Sequence, residues 1–326
     1  MDRPLPSSFP ISFAAEDGYV LNGICRRHFS ADPQRPVVVI NPATSVRCNY
    51  YSGFADFLHR HGLDVVTFDY RGIGKSRPPN LKGFEAGWID WGRLDFEAAL
   101  QYVDREFPGQ PIHVVGHSVG GVLIGMAASS FRVSRVFTMG AQYAYWRDYD
   151  RSRRARMLLK WHVVMPLVTS LFGYFPGRRI GWLEDTPRGV VRDWTGRYPR
   201  FEDTWRRGSL ILPEAERNQL IHRFSAMTGD TLALSFSDDE FGTVAAVRRL
   251  LGYYRGSRRT HLHLTPETIG EARVGHFAFF HHRFEQSLWK IALEWLRHGR
   301  LLPDPKGEAV VLSPEVALTT PQPLPA

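Results

Sequence analysis

The chain has 326 residues, 43% of them apolar and 23% charged, with a formal net charge of +8. That mix supports a large core of one α/β domain plus an insertion, with no need of a metal or disulfide staple. Two cysteines, Cys25 and Cys48, exclude a secreted disulfide framework, and no apolar run reaches the roughly 18 residues of a membrane-spanning helix.

The N-terminal MDRPLPSSFP lacks the apolar stretch of a signal peptide, so a cytoplasmic protein with reduced thiols is expected. The first elements read as strands over Pro10–Ala15, Tyr19–Arg26 and Val37–Asn41, with Asp17-Gly18 as the hairpin turn between the first two. Val37-Val38-Val39-Ile40 is continuously apolar, which suits a strand covered on both faces. A helix over Tyr50–His61, a strand at Val65–Phe68, a helix over Trp88–Phe107 and a strand at Ile112–Val115 follow. Next come a helix over Val119–Phe131 and a strand at Val133–Met139. This alternation predicts a mostly parallel sheet with right-handed crossovers.

The alternation stops at Gln142. From there to Glu216 the chain carries 5 of its 9 tryptophans, and between Trp146 and Arg207 it has 14 Lys/Arg against 7 Asp/Glu. Residues 142–216 are read as a helical insertion between core parts 1–141 and 217–302. A strand at Thr231–Phe236, a helix over Val244–Tyr253, a strand at His261–Leu264 and a helix over Phe284–His298 complete the core. The Pro-rich remainder, 303–326, is expected to be flexible or loosely docked.

Gly116-His117-Ser118-Val119-Gly120 matches G-x-S-x-G between an apolar strand and an apolar helix, the setting this motif requires. The glycines leave room for a tight, strained turn that points Ser118 out of the sheet at a helix N-terminus. A serine hydroxyl needs a base and a group that orients the base. For a fold of this kind the chain order is serine, acid, histidine. His276, in Val-Gly-His-Phe between the last strand and the last helix, is the candidate base. Asp239 is the candidate acid and Asp238 its alternative, at the C-terminal end of the strand Thr231–Phe236. Two backbone N–H groups must hold the oxyanion. Val119 supplies one, and Ala43, with Thr44 as alternative, supplies the other, because Pro42 cannot donate. No cofactor or metal is called for.

These motifs, with Phe68-Asp69-Tyr70-Arg71-Gly72-Ile73-Gly74-Lys75-Ser76, resemble the α/β-hydrolase superfamily over about residues 10–298. The chain is similar to a branch of uncharacterised bacterial hydrolases grouped with serine aminopeptidases and monoglyceride lipases. The resemblance implies acyl transfer from an ester, lipid or peptide-like substrate under a cap, with Asp69 and Arg71 structural. The chain departs from the pattern after the third strand, where Asn41-Pro42 replaces the usual His-Gly.

The expected function is therefore carboxylic-ester hydrolysis on Ser118. An acyltransferase using the same residues, or a non-catalytic ligand-binding relative, are the alternatives. Ser118 at the elbow argues against a dehalogenase or epoxide hydrolase, which would carry Asp there. The expected partner is a small ester or acyl substrate. The basic insertion makes an anionic lipid surface a candidate partner, and nucleic acid is not expected.

Overall fold

The computed structural model describes residues 7–30, 32–208, 210–302 and 307–314. The strands are β1 (Ser8–Ala14), β2 (Val20–Arg26), β3 (Val37–Asn41), β4 (Asp64–Phe68), β5 (Ile112–His117) and β6 (Val133–Met139). They continue with β7 (Tyr174–Phe175), β8 (Thr186–Pro187), β9 (Asp230–Phe236), β10 (Arg259–Leu264) and β11 (Glu308–Leu312). Nine of them form one sheet in the order β1-β2-β4-β3-β5-β6-β9-β10-β11, and β7 and β8 make a separate small ribbon. From β4 through β10 the pairings are parallel. The β1–β2 hairpin closes one side of the sheet antiparallel, and β11 closes the other.

Burial follows from this order. Every residue of β3, β4 and β5 is buried, as continuous apolar strands between two helical layers require. Successive residues alternate faces. Val37 and Val39 therefore join one core, and Val38 and Ile40 the other. At the edge, β1 instead alternates exposed and buried positions.

Three elements differ from the sequence reading. The helix expected over Val119–Phe131 stops at Leu123, passes through tighter turns and breaks at Ala127, whose ψ is 141°. Its glycines weaken it. At one of them, Gly125, a Cβ would strike the ring of Phe224, so a crossing helix sits against the backbone there. That helix, Glu214–Ala226, runs through residue 216, the expected end of the insertion. In the tail, Glu308–Leu312 forms the strand β11. The β-branched Val310 and Val311 suit a strand, and β10 would otherwise present an open edge. Residues 303–306 and 315–326 of the expected flexible tail lie outside the described residues.

Between β6 and β9 the chain is largely helical. Arg154–Met157, Leu158–Val164 and Met165–Phe172 form one uninterrupted helical run, with widened i→i+5 turns in its middle stretch. Arg188–Thr195 and Phe201–Arg207 follow. No helix among the described residues is long and apolar enough to cross a membrane.

Candidate active site

β5 ends at His117, and Ser118 follows with φ 54° and ψ −121°, a left-handed conformation rare for a residue with a side chain. The turn is held by the Ser118 N–H, which donates to the Met139 carbonyl at 3.0 Å. Two glycines make it sterically feasible. A Cβ on Gly116 would sit 2.7 Å from the Gly121 Cα, and one on Gly120 would overlap the Asn41 carbonyl oxygen. Ser118 thereby precedes the first residue of a helix and opens onto a cavity of about 160 Å³.

His276 lines the same cavity. Its Nδ1 lies 2.8 Å from Asp239 Oδ2, and both residues are buried. Asp239 Oδ1 accepts from the backbone N–H groups of Phe241 and Gly242, each at 2.8 Å. Burial pushes the Asp239 carboxyl up, but His276 and these two donors outweigh it and hold the pKa below the usual carboxylate value. Asp239 is thus an ionised acceptor, and the His276 proton sits on Nδ1, leaving the Nε2 lone pair for a hydroxyl. The alternative acid, Asp238, does something else. Its Oδ2 accepts from the N–H groups of Val274 and Gly275, both at 2.9 Å, and so fixes the loop that carries His276. Among the described residues the Ser118 hydroxyl makes no hydrogen bond to His276. Contacts of this type often tighten only when substrate binds.

Of the two backbone donors expected at the oxyanion, Ala43 is not available. The Ala43 N–H is already used: it donates to the Tyr51 hydroxyl at 2.8 Å, inside the core. Thr44 lines the cavity, and its N–H has no backbone or side-chain acceptor among the described residues. Val119 occupies the first helical position, where the N–H has no acceptor within the helix. Val119 and Thr44, not Val119 and Ala43, are therefore the pair with free donors.

Tyr51 belongs to a chain of bonds that the sequence did not reveal. Its hydroxyl lies 2.8 Å from His117 Nδ1, and His117 Nε2 lies 2.8 Å from the His276 carbonyl. A carbonyl only accepts, so Nε2 carries the His117 proton, Nδ1 accepts, and Tyr51 donates to it. Burial first, and the neighbouring His276 second, push the His117 pKa down to about 3, which keeps this ring neutral. The chain ties the loop after β3, the elbow and the His276 loop together. The G-H-S sequence was the one available signal, and it pointed to a residue facing away from the hydroxyl.

Tryptophans furnish much of the remaining wall: Trp161, Trp182 and Trp194 from the segment between β6 and β9, and Trp88 from before β5. Phe241 packs against the His276 ring at 5.0 Å. Asp69 and Arg71 take structural places. Asp69 accepts from the Cys48 and Lys75 N–H groups, and Arg71 pairs with Asp17 and Asp95. Cys25 and Cys48 are buried free thiols. The cluster His28, His59 and Asp64 has metal-ligand chemistry, but Asp64 begins β4, at the opposite end of the strands from Ser118.

Residues 36–280 match the family model for the alpha/beta hydrolase fold, and the chain belongs to that family. A putative monoglyceride lipase of Schizosaccharomyces pombe is 37% identical over 78 residues, 23% of this chain and 20% of that protein. The chain thus aligns with only a fifth of that relative's length. Among solved structures, an esterase of Pyrococcus furiosus superposes with a TM-score of 0.54 at 14% identity, covering 89% of this chain and 91% of that one. A cold-adapted esterase from an Arctic intertidal metagenomic library gives 0.51 at 15% identity, covering 92% and 97%. At such identities the likeness is one of fold.

Proposed function

We propose that the protein is a serine hydrolase that cleaves carboxylic esters through an acyl-enzyme on Ser118. The observation that carries this reading is the shared cavity: a strained serine and a histidine open onto it together, and a buried carboxylate holds the far nitrogen of that histidine at 2.8 Å. Fold alone would not specify chemistry.

His276 Nε2 takes the hydroxyl proton as Ser118 Oγ attacks the ester carbonyl carbon. The carbonyl electron pair moves onto its oxygen, which the Val119 and Thr44 N–H groups hold. Collapse of the tetrahedral intermediate breaks the bond to the leaving oxygen, which His276 protonates. Water, activated by the same imidazole, then releases the acid and restores the serine. Asp239 fixes the His276 tautomer and stabilises the imidazolium.

The helical segment between β6 and β9 acts as a cap in this scheme, its tryptophans forming an apolar acyl pocket. A cavity of about 160 Å³ suits short acyl groups better than long ones. The resemblance of a short stretch to a lipase adds acylglycerols to the candidates. A panel of p-nitrophenyl esters of increasing chain length, with a monoacylglycerol, tests the reading. Turnover should peak at short chains and vanish in Ser118→Ala. Equal turnover in that variant would refute it.

A further inference from the structure

The helical run from Arg154 to Phe172 has two opposite apolar faces. Met157, Trp161, Met165 and Thr169 are buried, and Trp161 walls the cavity that Ser118 opens onto. Offset by two residues, Leu159, Val163, Leu167 and Leu171 repeat at the same four-residue interval and face outward. Leu167 is 61% exposed and Leu171 83%. In a regular α-helix, at about 3.6 residues per turn, a strict four-residue repeat would drift around the axis. The widened turns of Leu158–Val164 reduce that drift and keep both stripes straight. Phe172, the last residue of the run, is 43% exposed.

Single exposed leucines need no explanation, but a ridge of four large apolar side chains along one helical face does. The charge of this segment indicates what covers the ridge. From residue 151 to residue 183 the chain has seven basic residues and no Asp or Glu. Lys160 lies over the Trp161 and Trp182 rings at the cavity, Arg153 pairs with Glu240 and Arg154 donates to the Tyr149 carbonyl, which leaves Arg151, Arg156, Arg178 and Arg179 exposed to solvent. The neighbouring acids are already engaged. Asp150 accepts from Ser152 and Arg153, Glu184 pairs with Arg47, Asp185 with Arg77, and Glu240 with Arg153. A second copy meeting this face about a two-fold axis would set the same cations against each other. An anionic bilayer attracts them while its acyl boundary takes the leucines.

We propose that this face docks on anionic membrane surfaces, with the run Arg154–Phe172 lying in the plane of the interface. The docked face and the cavity wall are then two sides of one helix, so docking brings the bilayer to the outside of the acyl pocket.

Co-sedimentation with phosphatidylcholine vesicles, with and without phosphatidylglycerol, tests this. The full chain should bind the anionic vesicles about tenfold or more tightly than the neutral ones. High salt should weaken that binding. Leu167→Asp with Leu171→Asp should reduce it by about tenfold or more while the thermal melt stays near that of the wild type, because both side chains are solvent-exposed. Indifference of the wild type to phosphatidylglycerol would overturn the proposal. So would a double variant that binds as well as the wild type. A concentration-dependent dimer in ultracentrifugation that the double variant abolishes would assign the ridge to a second copy instead.

Discussion

The ends of the parallel strands and the helical segment between β6 and β9 meet at one cavity but are built on different physics. The strand ends are fixed by backbone bonds. Ser118 is pinned to Met139, Asp239 accepts two N–H groups, and Asp238 ties down the loop before His276. The helical segment contributes mostly rings, such as the stacked Trp161–Trp194 pair at 4.9 Å. Backbone hydrogen bonds hold atoms to the few tenths of an ångström that proton transfer demands. Aromatic packing tolerates changes of shape. On the proposed function, chemistry belongs to the strand ends and selectivity to the helices.

That division can be broken by substitution. The largest expected effect is at the acid. Asp239→Asn should lower kcat by about 10⁴-fold, since the His276 tautomer and imidazolium lose their support. Asp238→Asn, which loosens only the loop, should cost about ten- to a hundredfold. Similar losses in the two variants would contradict the assignment of Asp239.

On the helical side, Trp182→Ala should raise KM for short esters by about tenfold with kcat little changed, because it removes pocket surface and no reacting group. A collapse of kcat with KM unchanged would erase the proposed division. Tyr51→Phe probes the strand-end side away from the reacting groups. It leaves the Ala43 N–H and His117 Nδ1 without their partner in the core, so about 1–3 kcal/mol of stability should be lost in denaturant unfolding. It should also lower kcat by about tenfold through the displaced His276 loop, with little change in KM.

The effect that leaves activity at neutral pH untouched concerns stability against pH. His113 on β5 is buried, and burial first, then Arg135, pushes its pKa down to about 3. The unfolded chain takes up this proton from about pH 6.5 downward and the folded chain only near pH 3. Stability contributed by the neutral ring is therefore lost as pH falls through that window, by at most about 1.4 kcal/mol per pH unit. Denaturant melts of wild type and His113→Gln between pH 7 and pH 4 should show a flatter dependence in the variant. Parallel curves would show that His113 is not the linked group.

The sheet was legible because its strands carry patterns that burial imposes. Val37–Ile40 is apolar on both faces, and Asp17-Gly18 turns the edge hairpin. Ser118, Asp239 and His276 were legible as candidates from chain order and from their places at strand ends, and the fold brings the latter two into contact. What escaped was set by tertiary contact. The Tyr51 hydroxyl takes the Ala43 N–H, 8 residues away in sequence. Phe224 crosses Gly125 where the elbow helix gives way. The open edge of β10 recruits Glu308–Leu312 from a stretch whose prolines suggested no structure. The ridge from Leu159 to Leu171 was hidden for a similar reason, since widened turns shift the period that a sequence reading assumes.

The central claim is that Ser118 is an activated nucleophile. Intact-mass measurement after exposure to a fluorophosphonate, followed by peptide mapping, tests it most directly. One adduct per chain is expected, on the peptide containing Ser118, formed at least about a hundredfold more slowly in His276→Ala. An unlabelled folded chain, or an adduct on another residue, would contradict it.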